Sequence, residues 1–312
     1  MRTRIISLAL TLCFLLTACG GKEESSQGRA SFLARAAELE EEELLLVVGG
    51  REIPAWRYLY WLGWVCDRLQ KQYDRAELPL DWAATIGGGT LADYAREQAL
   101  ADTALYATVE NLAEEFGLSA EENFVSAALP DEGLTPEQMT ELERVGQLYA
   151  ALYDFYCTEG SPLAPTEEAL REFAQEQGWL TVEHILIPHG EDREAARGQT
   201  EEVFARLNSG AEQVEFQSKQ TFRAGESTMD EALETAAAEM AVGQCSGILE
   251  TEEGFFILRR LETEVEALRE DYFDDLLQRR AEESAVEVTE AYRLLEVPEF
   301  YRRLQRLREE SA

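Results

Sequence analysis

The periodicity of this chain changes twice, and those changes constrain the fold more than any single motif. Before residue 178 apolar residues recur at helical spacing. Leu105, Val109, Leu112 and Phe116 stand 4, 3 and 4 positions apart ahead of Gly117, which marks one face of a helix and its stop. The helix starts are equally explicit. Thr90-Leu-Ala-Asp93 and Thr135-Pro136-Glu-Gln138 match a capping box, the second with proline at the first helical position, and Ser119-Ala-Glu-Glu122 has the same form. The helix after Thr135 carries Met139, Leu142, Val145, Tyr149, Leu152 and Tyr156 on one face. Thr166 with Glu167 and Glu168 opens another, ending near Gly178. At Trp179 strict alternation takes over. Val182, His184 and Leu186 interleave with Glu183, Ile185 and Ile187, which predicts a strand that Pro188 and Gly190 end. From Val265 onward, Leu268, Tyr272 and Leu276 return to helical spacing.

Between the two changes lie a polar helix from about Arg193 to Leu207 and a poorly patterned stretch to Phe222. A second helix carries Leu233, Ala237 and Met240 and stops at Gly243. The segments Gly247–Glu250 and Phe255–Leu261, joined through Glu252-Glu253-Gly254, read as strand, turn and strand. This predicts the order β-α-α-β-β over residues 179–262, a compact α+β unit. It is inserted between helical segments at 44–178 and 263–312, so the expected class is α+β and mainly helical.

The N-terminus addresses location. Arg2 and Arg4 precede the apolar run Ile5–Leu16, the form of an export leader. That run is too short for the roughly 20 residues a membrane-spanning helix needs. Leu16-Thr-Ala-Cys19-Gly20 resembles a bacterial lipobox. The expectation is a leader over 1–18, a lipid on Cys19, and an acidic tether over 19–43 at the extracytoplasmic face of the bacterial cell membrane. The alternative is an ordinary leader with an incidental cysteine. After the tether, Leu44–Val48 read as a strand, Gly49-Gly50 as a turn, and Ala55 onward as an apolar helix. Arg51, Glu52, Arg57, Asp67 and Arg68 interrupt this stretch, which fits a buried helix rather than a membrane span. Its aromatic set Trp56, Tyr58, Tyr60, Trp61 and Trp64 is either core or a surface for other polypeptides.

Charge excludes one class of partner. Losing the leader removes Arg2 and Arg4 and moves the net charge from −34 to −36, a surface that repels nucleic acid. The acidic runs lack the Gly-containing loop of an EF-hand and read as solvation. Besides Cys19, the mature chain keeps Cys66, Cys157 and Cys245. An odd number argues against a disulfide framework. A Cys66–Cys157 bridge and buried free thiols both stay open. His184 and His189 are the only histidines. Their odd separation places them on opposite faces of a continuing strand with no third ligand in view, so neither a metal nor a cofactor is expected.

The lipobox, the helical N-terminal region and "VEHILI … AVGQCSGILETEEGFFILRRLE" together resemble the PrsA/SurA-like foldases. These are extracytoplasmic chaperones with a parvulin-type peptidyl-prolyl isomerase domain. Glu183-His184-Ile185-Leu186-Ile187 is similar to the parvulin opening strand. Gly243-Gln-Cys-Ser246 and Gly254-Phe255-Phe256-Ile257-Leu258 follow in the family's order and spacing. "TLADYAREQAL…LAEEFGLSAEE" resembles the family's helical chaperone domain. The resemblance implies a membrane-anchored foldase that isomerises X–Pro bonds of unfolded, newly exported polypeptides. It implies His184 as catalytic residue and Phe222, Met229, Leu233 and Phe256 as the proline slot. Phe256 stands where the family has a second histidine. The alternative is a catalytically inactive chaperone that only binds unfolded clients. The reaction itself asks for no nucleophile or metal. Rotation about X–Pro faces a barrier of about 18–20 kcal/mol from amide resonance, and an apolar grip on the ring with a polar floor favours the twisted amide.

Overall fold

The computed structural model describes residues 31–121, 134–209 and 214–311. The expected leader, Cys19 and the helix after Ser119 lie outside the described residues. In chain order the elements begin with α1 (Phe32–Ala37), β1 (Leu44–Val48), β2 (Arg51–Pro54), α2 (Ala55–Arg75), β3 (Thr85–Ile86) and β4 (Gly89–Thr90). Helices α3 (Leu91–Glu115), α4 (Pro136–Cys157) and α5 (Glu167–Glu176) follow. Then come β5 (Trp179–Pro188), α6 (Arg193–Ser209), β6 (Ser218–Arg223), α7 (Glu231–Glu239), β7 (Leu249–Glu250) and β8 (Gly254–Leu261). The chain ends with α8 (Arg269–Glu283), β9 (Val286–Val288), α9 (Glu290–Leu294) and α10 (Val297–Glu309). This is the α+β class expected from the sequence. The chain divides into two units, residues 165–272 and the remainder.

The larger unit is built around α2. Its broad apolar face buries Trp56, Tyr58, Leu59, Leu62 and Val65. They join Leu46 and Ile53 of the β1–β2 hairpin and Phe300 and Leu304 of α10 in one core. The absent side chain of Gly63 permits the closest approach, because a Cβ there would lie 3.3 Å from Leu33 and 3.4 Å from Leu304. The capping boxes at Thr90 and Thr135 form as read. Among the described residues no helix is long and apolar enough to cross a membrane.

Several expectations for this unit change. Residues 31–43 do not continue as a tether. Ser31 caps α1, Leu33 and Ala36 are fully buried, and the carbonyls of Glu41 and Glu43 accept from the first amides of α2. Six helical residues beside an acidic run carry too little periodicity to be read. β2 and β9 were also illegible. They flank β1 in the antiparallel order β2-β1-β9, and β9 spans three residues with two exposed. Cys66 and Cys157 form no bridge. The first is buried and the second exposed, and burial pushes the Cys66 thiol well up.

The smaller unit is a four-stranded antiparallel sheet in the order β6-β5-β8-β7. From Trp179 to Leu261 its element order is β-α-β-α-β-β, because the unpatterned stretch before Phe222 contains β6. An edge strand has one neighbour and much solvent, and in β6 only Phe222 is buried, so alternation never shows. Two apolar layers cover the sheet. Ile185, Ile187 and Phe255 pack against Ala196, Val203 and Leu207 of α6. Val182, Phe222, Phe256 and Leu258 pack against Leu233 and Ala237 of α7.

Candidate functional site

The face of the sheet under α7 holds every residue of the expected proline slot. Pleating sends Leu180, Val182, His184 and Leu186 of β5 to this side. The ladder sets Leu180 opposite Phe222, His184 opposite Ser218 and Leu258, and Leu186 opposite Phe256. Asp230 starts α7 by accepting from Ala232 N–H at 2.9 Å, which lays Leu233 and Ala237 on the sheet. Met229 arrives by a local network. Its N–H donates to Ser227 Oγ at 2.9 Å, and the Glu234 carboxylate accepts from that hydroxyl and from Gly225 N–H. The Ser227 hydroxyl accordingly holds the Glu234 carboxyl below its ordinary range.

The glycine and serine of the two downstream motifs have structural reasons. A Cβ on Gly254 would lie 2.4 Å from the Ile187 carbonyl oxygen, so only glycine lets β8 start beside β5. Gly243, at φ +84°, donates to the Arg260 carbonyl at 2.7 Å, and Arg260 N–H returns a bond to Gln244 at 2.9 Å. Three residues further on, Ser246 ties itself to Leu258 by main chain and hydroxyl. Leu258 is the residue opposite His184, so this segment fixes the floor of the face.

His184 is half-buried, and its ring lies against Phe256 with centroids 5.5 Å apart at 57°. Nδ1 is buried and has no hydrogen-bond partner among the described residues. Desolvation holds its pKa below the usual histidine value, opposed in part by Glu253, so the imidazole is neutral at pH 7. Its carbonyl accepts from Gln217 N–H at 3.0 Å, and the Gln217 side chain accepts from Leu186 N–H at 3.1 Å. Ser218 is exposed beside it on the edge strand. Nothing in the sequence marks this polar neighbour, because β6 shows no alternation.

Phe222, Leu233 and Phe256 are 4, 3 and 6 % exposed. These three residues therefore belong to one filled apolar layer, with Met229 packed at its margin. His189 belongs elsewhere. Its Nε2 bonds the Thr251 carbonyl at 2.9 Å and its ring meets Phe255 edge-on at 4.9 Å. The two histidines do not converge. Among the described residues no three His, Cys, Asp or Glu side chains form a metal-sized group.

No family model matches the chain, and no curated protein sequence matches it. Solved structures do. The foldase protein PrsA from Streptococcus pneumoniae is 16% identical at TM-score 0.24, over 80% of this chain and 84% of that one. The peptidylprolyl isomerase PrsA from Bacillus cereus is 18% identical at TM-score 0.23, over 88% and 93%. A SurA-like chaperone of Campylobacter jejuni is 11% identical at TM-score 0.18, over 79% and 99%. The chain is thus similar to PrsA and SurA-like proteins.

Proposed function

We propose that the chain is an extracytoplasmic foldase that assists exported polypeptides, with the α7-covered sheet face of the smaller unit as its proline-handling surface. One observation carries this reading: His184, Phe222, Met229, Leu233 and Phe256, scattered over 73 residues of sequence, share one face. An apolar grip beside a neutral imidazole is the chemistry that amide rotation needs. Anchoring through a lipid on Cys19, and clients that are newly exported proteins, belong to the same proposal. The lipobox-like Leu16–Gly20 supports them.

The burial of Phe222, Leu233 and Phe256 favours a second reading, a holdase that binds clients without turning them over. A proline ring would have to displace packed side chains, and Phe256 puts an aromatic edge where a polar floor helps catalysis. A cis/trans assay on X-Pro peptides, run beside His184→Ala, separates the two. A rate above background that falls in the variant supports isomerisation. A flat rate, with aggregation of an unfolded client still suppressed, leaves the holdase. Loss of both sinks the proposal. Cys19→Ala should release the protein from the membrane fraction.

A further inference from the structure

A second constellation lies in the larger unit, where α2 meets α3. Trp61 packs on Tyr106 with ring centroids 4.4 Å apart and on Trp64 at 6.1 Å. Arg68, one turn after Trp64, stands over the Trp64 ring with its guanidinium carbon 4.8 Å from the centroid. Asp102, one turn before Tyr106, interacts electrostatically with Arg68. Trp64 is 41% exposed, whereas Trp61 is nine-tenths buried.

The group is unfinished as a hydrogen-bonded structure. Trp61 Nε1, Arg68 Nη1 and Asp102 Oδ2 are buried polar atoms with no hydrogen-bond partner among the described residues. Buried polar groups left this way are costly, and of the three only the Asp102 oxygen can accept from an incoming cation. Desolvation pushes the Asp102 carboxyl up to about 6, and Arg68 offsets only part of it.

We propose that this aromatic–acidic patch seats basic side chains, arginine above all, from unfolded polypeptide segments. Three observations converge on a cation. The face of an exposed tryptophan attracts one, the Asp102 carboxylate that interacts with the Arg68 on that ring keeps one oxygen without a partner, and the chain's net charge of −34 draws cationic segments toward it. Arg68 shows that the geometry accepts a guanidinium. It is a resident occupant from the chain itself, and an incoming arginine competes with it for the Trp64 face. That the partner is unfolded polypeptide rests on the chaperone reading. The preference for a cation does not.

The test is fluorescence anisotropy with the full-length protein in detergent micelles. The probe is a labelled Gly/Ser peptide bearing several arginines, beside a twin with glutamine in their place. Arg68→Ala should bind the arginine peptide about three-fold tighter, and Trp64→Ala and Asp102→Asn about three-fold weaker or worse. The glutamine twin should not bind. Equal affinity across the variants would place binding on the acidic surface at large and overturn the proposal. Weaker binding in Arg68→Ala, or a twin that binds as well, would do the same. Asp102→Asn keeps side-chain volume and removes a desolvated charge, so its loss of binding cannot be put down to unfolding. If aggregation suppression survives in variants that lose the peptide, this seat fails and the chaperone reading stands.

Discussion

Ser246 and Leu258 are joined twice. The Ser246 N–H donates to the Leu258 carbonyl at 2.8 Å, and the Ser246 hydroxyl accepts from Leu258 N–H at 2.9 Å. The hydroxyl thus serves a fully buried strand residue directly opposite His184. Ser246→Ala leaves that buried N–H without an acceptor, at a cost of about 1–3 kcal/mol. Ser246→Thr keeps the oxygen. Hydrogen exchange of residues 254–261 should speed about ten-fold in the alanine variant, since 1.4 kcal/mol is a factor of ten, and far less in the threonine one. Equal exchange in both would deny the bond any weight.

Gly254 makes a sharper demand. A methyl group there meets the Ile187 carbonyl oxygen at 2.4 Å and the Pro188 Cα at 2.8 Å. Both are main-chain atoms, so no rotamer change relieves the clash. Gly254→Ala should destabilise the smaller unit by about 1–3 kcal/mol, the range of overpacking. Exchange protection should fall in both β5 and β8. Thermal unfolding of the larger unit, which holds four of the five tryptophans, should be unmoved.

These two positions show what a sequence can and cannot reveal here. Gly254 and Ser246 stand at legible spacings, yet their reasons are long-range: a strand 67 residues earlier in one case, a carbonyl 12 residues later in the other. β5 was legible because both its faces are covered and it ends in Pro188-His-Gly190. β6 was not, because Ser218 and Lys219 face solvent and only Phe222 is buried. That Phe222, Leu233 and Phe256 share one apolar layer could be expected from motif order. Its filling could not, because that depends on Met229 being brought in through Ser227 and Glu234. The buried start of the larger unit, Leu33 and Ala36, was hidden by its acidic neighbours.

His184 links the site to pH. Desolvation lowers its pKa relative to an unfolded value near 6.5. The unfolded chain therefore takes up a proton before the folded one does. The stabilisation is present above the unfolded pKa and is lost as pH falls through that value toward the lower folded one. Exchange protection of residues 180–187, corrected for intrinsic rates, should decline between pH 7.5 and pH 5.5 in the unsubstituted protein. His184→Gln, which does not titrate, should decline less over the same interval. Parallel profiles would show that His184 is not the group responsible.

Arg57 in the larger unit is 3% exposed and pairs with Glu110 at 2.7 Å and with the more exposed Glu141 at 3.4 Å. Its Nε is buried without a partner, so the pair is imperfectly satisfied. Burying two charges costs nearly what their attraction returns, whereas removing one partner strands the other. Glu110→Ala should therefore cost about 3–5 kcal/mol, since Glu141 alone must then hold a buried guanidinium. The double variant Arg57→Met/Glu110→Leu should regain most of that loss by replacing the pair with packed apolar volume. Urea unfolding followed by tryptophan fluorescence reads this unit, and the cycle of single and double variants gives the coupling. A double variant no more stable than Glu110→Ala would mean that the pair contributes its own net energy. Arg57 would then be an anchor for α3 and α4 rather than a charge the core tolerates.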